Sequence, residues 1–95
     1  MSAKEKRRVR AEANKKAARE KKQLEQLVEK LEKEILKLEE EQTDLNIQLT
    51  DPDSYQDPEQ GKDLNEKASR IARRLKEKNY EWEIETDKLS DLQNK

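Results

Sequence analysis

From Leu24 onward, apolar side chains recur at alternating steps of four and three residues: Leu24, Val28, Leu31, Ile35, Leu38, Gln42, Leu45 and Leu49, with Gln42 as a polar intruder. These are the a and d positions of a heptad, which lays one narrow apolar seam along a helix and leaves the rest wet. A second run repeats the pattern through Leu64, Ala68, Ile71, Leu75, Lys78, Trp82, Glu85, Leu89 and Leu92. Lys78 and Glu85 interrupt it, so this seam weakens toward its C-terminal half. Composition removes the alternatives. The 95 residues are 47% charged and 29% apolar, with 1 Gly, 2 Pro and no Phe. That leaves too few β-branched, aromatic and turn residues for a sheet sandwich or an α/β core.

Between the runs lies the one helix-breaking segment, Thr50-Asp51-Pro52-Asp53-Ser54-Tyr55-Gln56-Asp57-Pro58. Asp51-Pro52 and Asp57-Pro58 each read as an N-cap followed by proline at the first helical position. The first predicts a single turn carrying Tyr55. The second opens the return helix, with Gln60 placed to complete a capping box. A loop of about eight residues folds two helices back on each other. The expected fold is therefore all-α: a monomeric, antiparallel two-helix coiled-coil hairpin with a basic N-terminal helical extension. Its parts are a lead-in or linker over residues 1–16 and a hairpin domain over 17–95, made of helix 17–49, tip 50–57 and helix 58–93.

Charge complementarity suggests a register. With Leu45 facing Leu64, Leu38 faces Ile71 and Val28 faces Trp82, and the flanking g positions bring Glu41 to Lys67 and Glu34 to Arg74. Trp82 then reads as a core plug for the open half of the hairpin, and Tyr55 as a ring packed over the tip. Leu27, Leu36, Ile47 and Ile84 fall off the seam, which is where a dimer would form.

The chain is nearly neutral overall, yet residues 1–22 hold ten Lys/Arg against three Glu, a net of +7. Extending the first heptad backward puts Arg7, Arg10, Asn14 and Lys21 at seam positions, where no partner helix buries them. The cations Lys4, Lys6, Arg7, Arg8, Arg10, Lys15, Lys16, Arg19, Lys21 and Lys22 are candidate nucleic-acid contacts. Arg8, Lys15, Arg19 and Lys22 recur near helical spacing, a stripe suited to a phosphate backbone, where each cation displaces a condensed counterion. The other reading of this tract is a solvated linker to a neighbouring domain. Arg70, Arg73 and Lys76 form a weaker candidate cluster, with Lys67 and Arg74 spent on Glu41 and Glu34. No aromatic interleaves with either cluster, so base stacking is not expected.

Catalysis has little to work with. The chain contains no His and no Cys, which removes imidazole bases, thiol nucleophiles and the usual zinc sites. Carboxylates are plentiful, but nothing buries a pair of them, so general acid/base work has no support. No metal, cofactor or enzymatic activity is expected of these residues. No stretch reaches the roughly 20 apolar residues of a membrane span, and the basic N-terminus is not followed by the apolar run of a secretory signal. Cytoplasm is the default location.

The sequence resembles the C-terminal coiled-coil domain of ABC-F ATPases of the Uup type. Leu49-x-Asp51-Pro52-x-x-Tyr55-x-Asp57 at the tip, Tyr80-x-Trp82-Glu83 on the return helix and the Lys/Arg-rich lead-in carry the likeness, over about residues 4 to 93. The resemblance implies a piece of a larger ATPase whose two nucleotide-binding cassettes bind ATP, since 1 Gly here makes no phosphate loop. It further implies a ribosome-associated parent and a domain whose partners are DNA, ribosomal RNA and the cassettes. The chain departs from the pattern in its longer basic lead-in and its acidic tail, Glu81, Glu83, Glu85, Asp87 and Asp91, which argues against uniform contact along the hairpin. A structural or protein-interaction hairpin without nucleic-acid binding is the alternative.

Overall fold

The computed structural model describes residues 2–94, with the Tyr55 side chain outside the described part, so the expected packing of that ring over the tip falls there too. Two helices account for almost all of it. Helix α1 runs Ala3–Thr50, a 3-10 turn spans Pro52–Tyr55, and helix α2 runs Pro58–Gln93. The two helices pack antiparallel in a rod of 80 × 16 × 15 Å.

Local chemistry explains each end. Helix α1 starts at a full capping box: Glu5 N–H donates to Ser2 Oγ at 3.2 Å, and Ser2 N–H donates to Glu5 Oε2 at 3.4 Å. The lead-in therefore runs without a break into the hairpin as part of one helix of 48 residues. Asp51 ends that helix in extended backbone, and its Oδ1 takes the Asp53 N–H at 3.1 Å to open the turn. Asp57 repeats the device one turn later, capping Glu59 N–H at 3.0 Å with Pro58 behind it. The expected capping box with Gln60 does not form. Asp57 caps the chain alone, and the Gly61 N–H closes the first turn on the Asp57 carbonyl at 3.1 Å.

The seam lies where the heptads put it. Val28, Leu31, Leu38, Leu45, Ile71 and Leu75 are buried, and every other predicted a or d position from Leu24 to Leu92 is half-buried, Gln42, Lys78 and Glu85 included. Gly61, one heptad step before Leu64, is buried as well and carries the seam to the tip. Leu38, Leu45, Ile71 and Leu75 form one cluster, with Ile35, Leu49, Leu64 and Ala68 packed on it. The cluster joins the two helices along the predicted seam, and in the open half the cross-helix contacts set Lys78 by Glu34 and Trp82 by Glu32. The off-seam apolars Leu36 and Ile47 stay exposed, and Leu27 and Ile84 largely so.

The open half differs from expectation in two places. Trp82 is only half-buried: its Nε1–H reaches across to Glu32 Oε1 at 3.1 Å. An indole that keeps its polar edge at the rim fills less of the seam than a full plug. The second correction concerns charge. Glu34 pairs with Lys78 at 2.9 Å rather than with Arg74. Among the described residues Glu41 and Lys67 make no ion pair, although both line the same groove between the helices. The reason is that Lys78 occupies a seam position. Its stem lies along apolar surface, its ammonium must leave the seam, and Glu34 sits where it emerges.

This cross-helix pair gives a first prediction. The hydrogen-bonding contact with Lys78, aided by the charges of Lys78 and Lys30, holds the Glu34 carboxyl below its ordinary value. The same contact, with the charges of Glu34 and its acidic neighbours, raises Lys78. A lowered carboxyl contributes stability above its unfolded value and loses it as pH falls through the folded one. A raised amine contributes below its unfolded value and loses it as pH rises through the folded one. The pair thus stabilises across the neutral range and fades at both ends. Glu34→Lys is expected to lower the melting temperature at pH 7, with part of the loss restored by Lys78→Glu and none by Arg74→Glu. Rescue by Arg74→Glu instead would restore the g-to-g pairing and overturn the one described.

Candidate nucleic-acid interface

Helix α1 is longer than its partner, and the excess is its basic end. At 1.5 Å per residue α1 is about 72 Å long and α2 about 54 Å, and with Lys78 standing by Glu34 roughly the first four turns of α1 project beyond the last turn of α2. The seam stops at Leu24, and every residue from Ser2 to Gln23 is exposed. Within this exposed stretch lie all ten candidate cations, Lys4 to Lys22, with Lys4 to Lys16 on the projecting turns and Arg19, Lys21 and Lys22 just beyond them.

Their placement around the helix matters more than their number. At about 100° per residue, Lys4, Arg8, Lys15, Arg19 and Lys22 fall within an arc of about 60°. Because α1 begins at Ala3, Lys4, beside the stripe in the sequence, joins it. Lys6, Arg7, Arg10 and Lys21 lie on the side that continues the seam, and Lys16 sits apart from both groups. The stripe therefore faces away from α2 and from the carboxylates Glu81, Glu83, Glu85, Asp87 and Asp91 on its last turns. Among the described residues the tract's only ion pair is Lys21 to Glu25, at 4.0 Å. Helical spacing holds Lys4, Arg8, Lys15, Arg19 and Lys22 in a row, none of them ion-paired among the described residues, and such a row attracts polyanions.

The weaker cluster divides in two. Lys67, Arg70 and Arg74 border the groove between the helices with Glu41 and Ile71, where α1 supplies the opposing charge. Arg73 and Lys76 point outward on the far side of α2, along a shallow surface groove with Glu77, Asn79, Tyr80 and Glu83. Tyr80 is 66% exposed there. This corrects the expectation that no aromatic accompanies either basic cluster, for Tyr80 shares a groove with Arg73 and Lys76. Its spacing from Lys76 and Arg73, four and seven residues, is the signal that places it on their face.

Among the described residues no set of carboxylates is arranged to hold a metal ion, and no helix is long and apolar enough to cross a membrane. A family model described as the ABC transporter C-terminal domain matches residues 15–85, from the last turns of the basic tract through the tip and along α2 as far as Glu85. Neither curated proteins nor solved structures gave a match.

Proposed function

The chain belongs to the ABC transporter C-terminal domain family, and from that premise we propose that it is the non-catalytic, nucleic-acid-binding coiled coil of an ABC-F ATPase of the Uup type. In this reading ATP binding and hydrolysis belong to the parent's cassettes, in the cytoplasm and on or near the ribosome. This domain supplies a hold on duplex DNA or structured ribosomal RNA.

The observation that carries the proposal is the overhang itself. Lys4, Arg8, Lys15, Arg19 and Lys22 form a solvent-facing row about 27 Å long, on the side of α1 turned away from the acidic end of α2. A duplex carries a phosphate charge for about every 1.7 Å of its axis, both strands counted, so a cationic row of this length passes close to several phosphates where it crosses the strands. Contacts of this type position the protein and carry no sequence information. Binding is accordingly sequence-tolerant, weak at physiological salt and steeply salt-dependent.

Fluorescence anisotropy with a random duplex and with a structured RNA, each at 50 and 200 mM salt, tests this. Four phosphate contacts give a slope of about −3.6 in log affinity against log salt, or about a hundredfold loss across that range on the duplex. Absence of binding at the lower salt would leave the overhang as a linker and the hairpin as a structural or protein-interaction element.

A further inference from the structure

We propose that Tyr80, with Arg73 and Lys76, forms a second nucleic-acid contact on the outer face of α2, specific for unpaired bases. It rests on the nucleic-acid-binding reading and adds a strand preference that the overhang does not supply.

The two aromatic residues of the return helix, two positions apart, do opposite things. Trp82 turns into the seam and hydrogen-bonds Glu32 across it. Tyr80 is left 66% exposed on the solvent face, away from the seam. Lys62, Ser69, Arg73, Lys76 and Tyr80 fall within an arc of about 60° on that face. The groove lined by Arg73, Lys76 and Tyr80 continues at Arg73 into a second one, bordered by Lys62, Ser69 and Arg70. Together they make a track about 27 Å long from Lys62 to Tyr80. None of the track's cations is ion-paired among the described residues.

Two features select bases over bare phosphates. Glu66, Glu77 and Glu83 also border the track, so its net charge is too small to grip a duplex by counterion release alone. An exposed phenol beside a guanidinium offers a flat face on which any unpaired base stacks. Asn79, on the same groove, presents an amide able to meet a base edge. A duplex keeps its bases stacked inside and gains nothing from this surface, whereas a single strand does.

The test uses the whole chain with four probes: oligothymidylate and oligouridylate of about 20 nucleotides, an abasic strand of equal length and charge, and a duplex. Wild type is expected to prefer base-bearing strands to the abasic one by about tenfold, the size of one base–aromatic stack. Tyr80→Ala should erase that preference, Tyr80→Phe should keep it, and both should bind the duplex as wild type does. Because Tyr80 is exposed, the variants should melt as wild type does, which circular dichroism verifies. A Tyr80→Ala variant that still prefers bases overturns the proposal. So does a wild type that binds the duplex yet takes single strands no better than abasic ones, and that result leaves the overhang reading intact. If wild type binds none of the four probes, the domain reading fails and this contact fails with it.

Discussion

Leu45→Ala is expected to lower the stability of the hairpin by about 2–5 kcal/mol, enough to unfold most of the population at room temperature. Leu45 is 3% exposed and sits in the one cluster that joins the two helices, with Leu38, Ile71 and Leu75. A two-helix rod buries a single stripe, has no second layer to collapse into a hole and contains no cysteine to staple it. Its stability margin is therefore small compared with the loss. The control lies two residues along: Ile47 is 64% exposed, and Ile47→Ala should change stability by no more than about 0.5 kcal/mol. Urea melts of both variants by circular dichroism give the comparison. Equal midpoints would mean that Leu45 does not bridge the helices.

The second large effect concerns binding. Changing Arg8, Lys15, Arg19 and Lys22 together to Gln should flatten the salt dependence on duplex DNA, since each lost phosphate contact removes about 0.9 from the slope. At 50 mM salt the affinity should fall by about a hundredfold or more. The melting curve should not move, because all four side chains are exposed and none forms an ion pair among the described residues. Gln keeps helix propensity near that of Lys and Arg, so the variant separates charge from helicity. The same exchange at Arg70, Arg73 and Lys76 should have a smaller effect on the duplex, with Glu41, Glu66, Glu77 and Glu83 already near those cations. Unchanged slope and affinity in the fourfold variant would make the tract a linker.

Much of this architecture is legible because a heptad is a strong signal. Every a and d position from Leu24 to Leu92 reads correctly, the interrupting residues included, since burial of one stripe is the only use two such helices have for each other. The Asp-Pro pairs mark the tip for an equally local reason: proline fixes the start of a turn and aspartate caps it. What is less legible depends on reach. Lys78 at the seam has a stem long enough to carry its charge to Glu34, so pairing by heptad letter assigned the wrong partner. Trp82 is large enough to fill the seam, yet its N–H seeks the rim, where Glu32 lies. Ser2 and Glu5 spell the capping box that starts the expected helical extension at Ala3, a start that no seam residue marks. At the candidate site, net charge revealed the basic tract, whereas its orientation away from α2 and the company Tyr80 keeps emerge only once the helices are placed.

The most direct test of the binding claim is an amide chemical-shift map of the chain titrated with a short DNA duplex at low salt. The largest changes are expected from Lys4 through Lys22, with the tip at Asp51–Asp57 and the acidic end of α2 nearly still. Changes centred on the tip, or confined to the last turns of α2, would contradict it and move the interface to the other end of the molecule or off the basic stripe.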